Sequence, residues 1–401
     1  MMRVGQRRHA PLPGPGAAVH RFQYIDCVRG YAVMMVIACH VTFAYPELPY
    51  RIRQLTESGW YGVELFFLAS ALTLLMSWRA EAAAGPVSVR AFFIRRFFRI
   101  APAYYCAGLL YTFVTPPQAI SLGPIIRTVA FINTLRPGWL TAPGVWWVVP
   151  GGWSISVEVM FYLVFPLYAA VATSARRALL LLGLLIAAGL VANEAVLAWY
   201  AAEAQTRVIR DFLFFWFPNQ AALFALGGLT YFLVARVQQP GLPNRLLVRF
   251  RPAALLCCTA AYGAVVYLPR GHFLGDSPVL PGAHMIGLPL AGMIVCLSVG
   301  RSLLVNRIVA AVGTVSFSVY LLHFAVLQAL HSFAGTLGFG ATGWHAVGAF
   351  VVGFVLVTVI TVLAATVSYH VIEAPMIRFG RQVIAGLQAR EQAKRVQPGM
   401  V

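Results

Sequence analysis

The chain sets ionisable side chains inside stretches that are otherwise apolar. They are Asp26, Arg29, His40, Glu64, Glu158, Glu194, His284, His323, His370 and Glu373. A charge at membrane depth is costly, so each is a functional candidate by default. Glu194 and His284 lie near the outer ends of their stretches, within reach of water. Arg29 and His40 stand eleven residues apart in IDCVRGYAVMMVIACH. That spacing is close to three helical turns, so the two share a face and lie roughly 16 Å apart along the axis. An imidazole titrates near neutral pH and can take the proton of a hydroxyl, which is a poor nucleophile until that proton is accepted. A neighbouring carboxylate would hold its orientation. Glu64, Glu158 and His323 fall at the same depth as His40 by their positions in their segments. A base with acidic partners is therefore expected in the outer half of the membrane. The structural alternatives are His40 bonded to a neighbouring helix, Glu64 and Glu158 in buried pairs, and Asp26 paired with Arg29 one turn away.

Arg95, Arg96 and Arg99 lie together in FFIRRFFRIAP. Arg96 and Arg99 are one helical turn apart and present two guanidinium forks on one face, a geometry suited to phosphate oxygens. Read chemically, they clamp the phosphates of coenzyme A. Read topologically, they are basic residues that keep a loop in the cytoplasm. The arginines and the His40 group then face opposite sides of the membrane. A pantetheine arm would thread into the bundle and present its thioester near His40, with the acceptor arriving from outside.

Apolar helices must position all of these groups. The chain of 401 residues is 60% hydrophobic and 10% charged, with a mean hydropathy of +0.77. Soluble proteins carry about 25% charged residues. A span takes about 20 mostly apolar residues. Ten stretches qualify: residues 23–45, 58–77, 101–116, 154–172, 178–198, 212–235, 253–269, 281–299, 308–330 and 346–371. The expected fold is an all-α integral membrane bundle of about ten transmembrane helices. With the N-terminus inside, the segments on the cytoplasmic side hold most of the 30 basic residues. This matches the positive-inside bias and puts both termini in the cytoplasm. It also accounts for the net charge of +18 without nucleic acid.

Residues 1–21 and 380–401 read as basic cytoplasmic tails flanking one membrane domain over 22–379. No cleavable signal peptide is legible, and the first span is expected to stay as a signal anchor. The outer segment 117–153 carries Pro117, Pro124, Pro137, Trp139, Pro143, Trp146, Trp147, Pro150 and Trp153. Such a stretch suits an interfacial belt, a re-entrant segment, or a cover over an acceptor site. The six cysteines lie in apolar segments without metal or disulfide spacing, so no metal is expected.

Taken in order, these motifs resemble the acyltransferase-3 family of bacterial integral-membrane O-acyltransferases, over about residues 22–379. Arg29 and His40 match its Arg-x10-His motif, and GVELFFLASAL (62–72) matches its GV(D/E)LFF block. RRFFRIAP (95–102) is similar to its Arg-x-x-Arg segment with a following proline. WSISVEVMFYLVFP (153–166), SFSVYLLH (316–323) and EAP (373–375) resemble its WSLSVE, SYS-x-YLLH and E-x-P elements. The departures are Ala71, where a Ser-Gly step is common, and Ala101, in place of an aromatic before Pro102.

The resemblance implies transfer of an acyl group, usually acetyl, from acyl-CoA to a hydroxyl, by an enzyme of the cell inner membrane. The implied acceptors are sugar hydroxyls of surface polysaccharide, O-antigen, peptidoglycan or glycolipid; some members instead modify antibiotics or other small molecules. Carried over by motif, His40 is the catalytic base with Arg29 in support, and Glu64 and Glu158 take the family's acidic positions. Arg95, Arg96 and Arg99 fall to the donor, and Trp153, Ser156, Ser316, Tyr320 and His323 to the substrate. Some relatives carry a fused extracytoplasmic hydrolase-like domain. This chain ends about 30 residues after its last span, so it is expected to act alone or to pass the group to a separate periplasmic partner.

Two other classes compete. A transporter would use the buried His, Glu and Arg as an ion relay, although neither an inverted repeat nor a broken-helix pair is legible. A scaffold without chemistry leaves Arg96, Arg99 and His40 without a task. Binding of coenzyme A separates these classes.

Overall fold

The computed structural model describes residues 15–114, 122–136, 139, 148–201, 206–267, 281–333, 335–338 and 340–396. Among these the regular structure is helical. Helix α1 (Pro15–Thr42) is followed by the short α2 (Tyr50–Glu57), a 3-10 turn (Ser58–Tyr61) and α3 (Gly62–Ala84). Next come α4 (Val89–Val114), α5 (Leu122–Val129), α6 (Gly152–Val171) and α7 (Ala175–Trp199). Helices α8 (Thr206–Phe215), α9 (Phe217–Val237), α10 (Leu242–Tyr267) and α11 (Pro281–Leu297) continue the bundle. The chain closes with α12 (Arg307–Thr314), α13 (Ser316–His331), α14 (Gly343–Ser368), a π-helical segment (Tyr369–Glu373) and α15 (Ala374–Val396).

In hydrocarbon a backbone must satisfy its own hydrogen bonds, which is why apolar runs of this length become helices. Local signals set several ends. Ser174 Oγ accepts from the Arg177 N–H to start α7, and Asn306 Oδ1 accepts from the Val309 N–H to start α12. Among the described residues seven helical stretches are long and apolar enough to cross a bilayer, and the pair α12 and α13 makes an eighth if it counts as one span. A shorter apolar helix covers His284–Leu297. In the described residues the ten expected spans overlap helices, but three differ from their sequence outline. The sixth is divided between α8 and α9 at Trp216. The third was expected to begin after the arginines; instead α4 begins at Val89 and carries Arg90, Arg95, Arg96 and Arg99 in its first half. Long arginine stems lie along a helix while the charged heads reach polar partners, so the charges do not break it. The ninth is broken, with α12 and α13 meeting at 78°. The C-terminal segment expected as a tail continues as helix to Val396. Part of the expected outer cover, including Pro143, Trp146 and Trp147, lies outside the described residues.

Helices α1 and α3 sit at the centre, while α7 and α10 leave most of their side chains facing outward. The main core draws on α1, α3, α4, α6, α9, α13 and α14, with Ile37, Leu75, Tyr104, Phe165, Phe224 and Val319 fully enclosed. Lipid tails are as apolar as leucine, so close approach and packing hold such helices together. Gly313 lets α12 rest on the backbone carbonyl of Asp26 in α1; a side chain there would collide with it. Aromatic stacking stiffens the centre. Phe67 stacks on Phe224 at 4.6 Å, and Phe224 on Phe161 at 4.1 Å. Pairs of this kind contribute about 0.5–1.5 kcal/mol beyond their buried area.

Candidate active site

Five helices surround a cavity inside the bundle. Helical periodicity selects its walls. Val63, Phe66, Phe67, Ser70 and Thr73 form one face of α3, and Ser154, Glu158 and Tyr162 one face of α6. Helix α1 contributes Arg29, α4 contributes Arg96 and Arg99, and α13 contributes Ser316 and Tyr320. A second cavity adds Asp26 and Ser77 and shares Arg29, Thr73, Arg96 and Arg99 with the first. Three arginines thus line both hollows and form a basic neck that the two share.

Arg29, Arg96 and Glu158 each have neighbours that place them. Arg29 Nη2 donates to Thr73 Oγ1 at 3.2 Å, and its Nη1 lies 4.0 Å from Asp26 Oδ1. The Arg96 guanidinium lies over the rings of Phe92, at 5.6 Å, and Tyr162, at 5.9 Å. Its Nε is buried without a hydrogen-bond partner. Glu158 Oε1 accepts from Ser70 Oγ at 2.5 Å and from Tyr162 Oη at 2.6 Å. Arg95 is separated from its neighbours. It points away from the cavity and donates to Glu81 at 2.6 Å. Adjacent residues on a helix point about 100° apart, so Arg95 and Arg96 look different ways, with Arg99 between them; the pair with Glu81 draws Arg95 off, and Arg96 and Arg99 line the cavity.

The histidines form a different site. His40 Nδ1 lies 2.9 Å from the Val36 carbonyl oxygen, and His323 Nδ1 lies 2.7 Å from that of Tyr320. A carbonyl only accepts, so both neutral rings carry their proton on Nδ1. His323 Nε2 is then an acceptor, 3.2 Å from His40 Nδ1, and shares that nitrogen's one proton with the Val36 carbonyl. The proton assignment leaves His40 Nε2 as an unprotonated base. Phe324 packs edge-on against the His40 ring at 4.3 Å and lies 4.1 Å from the His323 ring. Among the described residues neither imidazole bonds a carboxylate. Neither histidine lines the cavity. Tyr320 stands between, with its ring 5.7 Å from that of His323.

Tyr320 is itself fixed. Its hydroxyl donates to the Gly151 carbonyl at 2.9 Å and accepts from Ser154 Oγ at 2.8 Å. Gly151 adopts φ +74, and a side chain there would meet the Tyr320 hydroxyl. The four groups expected at one depth therefore occupy three places. His40 and His323 pair, Glu158 joins the arginines, and Glu64 stands apart. Glu64 is 1% exposed and its Oε1 has no hydrogen-bond partner.

Two residues expected at the substrate take packing positions. Trp153 packs against Phe215 at 4.6 Å and Phe67 at 6.2 Å. Ser156 is buried and donates to the Gly152 carbonyl of its own helix. Ser70, Thr73, Ser154 and Tyr162 were not singled out from sequence. Only Tyr162 had a local signal, since it sits one turn after Glu158. Among the described residues no group of three or more His, Cys, Asp or Glu is placed to hold a metal.

No solved structure matches this chain. The acyltransferase MdmB of Streptomyces mycarofaciens is 26% identical over 381 residues, covering 90% of this chain and 92% of its own. BcsY of Komagataeibacter xylinus, named as a membrane-bound transacylase, is 25% identical over 76% of this chain and 72% of its own. The peptidoglycan O-acetyltransferase OatA of Listeria monocytogenes is 25% identical over 36% of this chain and 23% of its own. A family model described as an acyltransferase domain matches residues 22–366. With that match running across the helices that build the cavity and the histidine pair, the chain belongs to the acyltransferase-3 family of membrane acyltransferases.

Proposed function

We propose that this multi-pass membrane acyltransferase moves a short acyl group, acetyl in the first instance, from cytoplasmic acyl-CoA to a hydroxyl of an extracytoplasmic glycan or glycolipid. The observation that carries the reading is the neck of Arg29, Arg96 and Arg99 inside the bundle. Three guanidinium groups face two carboxylates there, Asp26 and Glu158, and a polyanion suits the excess. Coenzyme A brings phosphates to match the guanidinium forks. The neck lies at the cytoplasmic end, in the domain 22–379 of a protein of the inner membrane with both tails inside.

In this reading His40 Nε2 accepts the proton of the acceptor hydroxyl as its oxygen attacks the thioester carbonyl. The carbon–sulfur bond breaks and coenzyme A leaves as its thiol, taking up that proton. His323 holds the His40 ring, and Tyr320 lies on the path from the arginine neck to the pair. That OatA is named as a peptidoglycan O-acetyltransferase supports an acetyl donor and a sugar hydroxyl acceptor. A separate periplasmic partner would take the group onward where the acceptor lies beyond reach of the bundle.

The test is purified protein in nanodiscs with acetyl-CoA, following release of free coenzyme A, wild type beside His40→Ala. Slow release that is lost in the variant, with coenzyme A binding retained, is expected. Absence of coenzyme A binding in the wild type overturns the donor, and full activity in His40→Ala overturns the base.

A further inference from the structure

Glu373 lies outside the cavity lining and the imidazole pair, yet it is a buried carboxylate, 4% exposed. It closes the π-helical segment Tyr369–Glu373 between α14 and α15. π turns are rare and occur mostly at functional places. This one brings Glu373 to the start of α13. Ser318 Oγ donates to Glu373 Oε1 in a short hydrogen bond, and the Ser318 backbone N–H faces the same carboxylate. Ser368, just before the π segment, lies 3.1 Å from Ser318 Oγ.

The start of α13 lacks a cap of its own. The 78° break starts a new helix, whose first N–H groups have no partner within it. Val315, at the N-cap position, provides no side-chain acceptor. A carboxylate beside a helix N-terminus supplies both an acceptor and a favourable charge. What α13 carries makes its angle matter: Ser316 and Tyr320 face the cavity, and His323 faces His40. The π segment also packs on α4, where Arg99 lies within electrostatic reach of Glu373.

We propose that Glu373 is a positioning residue. From the π segment it supplies the N-terminal cap that α13 lacks, and so holds Tyr320 against the arginine cavity and His323 against His40. Its activity readout rests on the acyl transfer proposed above; its geometric readout does not.

The experiment compares wild type, Glu373→Gln, Glu373→Ala and Ser318→Ala in nanodiscs. Three quantities are read: thermal melting, coenzyme A release from acetyl-CoA, and nitrogen NMR of the imidazoles, with the His40 and His323 signals assigned from their own substitutions. Glutamine keeps an acceptor for Ser318, so Glu373→Gln should stay within about threefold of wild type and keep the His323 signals. Glu373→Ala should shift those signals and lower turnover by about tenfold or more, the scale of a lost hydrogen bond to a charged group. Ser318→Ala should lie between them. Unchanged signals and turnover in Glu373→Ala overturn the proposal. Equal losses of melting temperature and turnover in Gln and Ala also overturn it, because they mark general destabilisation. If wild type itself releases no coenzyme A, the donor reading fails, and the imidazole signals alone decide the role of Glu373.

Discussion

His323 Nε2 lies 3.2 Å from His40 Nδ1, across 283 residues of chain. The contact sets an imidazole acceptor and a backbone carbonyl against the His40 ring, where the proposed base would commonly have a carboxylate. His323→Ala removes the acceptor but leaves the Val36 carbonyl. Turnover of acetyl-CoA should fall by about tenfold or more with little change in KM, since orientation of the base matters in the transition state. His323→Asn keeps a polar partner and should recover part of the loss. An unchanged kcat in His323→Ala would separate the pair from catalysis.

Arg96 and Arg99 line the cavity proposed for the donor, and Arg95 does not. Arg96→Ala and Arg99→Ala should each raise the KM for acetyl-CoA by about tenfold, the scale of one charge-assisted hydrogen bond. Arg95→Ala breaks a partly exposed pair with Glu81 outside the cavity and should leave KM within about twofold. Equal effects at all three positions would return the arginines to a topological role.

Ser70 and Tyr162 both donate to Glu158, beside the arginine neck. With either donor removed, Glu158 is freer to pair with the guanidinium groups and compete with the donor phosphates. Ser70→Ala and Tyr162→Phe should raise KM for acetyl-CoA about threefold to tenfold. In a Glu158→Gln background the same changes should have a smaller effect, and a double-mutant cycle measures the difference. Additive effects would show that the hydroxyls act independently of Glu158.

Gly151→Ala places a side chain at φ +74 and against the Tyr320 hydroxyl. The left-handed backbone alone costs about 1–2 kcal/mol. The melting temperature in nanodiscs should fall, and Gly151→Ala combined with Tyr320→Phe should recover part of that loss by removing the clashing oxygen. No recovery would assign the cost to the backbone alone.

Several features of the site are local, and these are legible along the chain. A helix turns once in 3.6 residues, so Arg29 with His40, Arg96 with Arg99, and Glu158 with Tyr162 are bound to share faces once each stretch is helical. Composition makes them helical, because an apolar run in a bilayer has no other way to satisfy its backbone. The family follows from the same motifs. Pairings between helices are of another kind. That Ser70 meets Glu158, that His323 meets His40 and Glu64 meets neither, and that Trp153 packs on Phe215 all depend on how far each helix is rotated and shifted against its neighbours. Those settings come from close contacts such as Gly313 on the Asp26 carbonyl, from the aromatic stack through Phe224, and from the break at Val315 that turns α13 toward the cavity. Periodicity determines which residues of one helix look the same way; only the packing of the whole bundle decides what they look at.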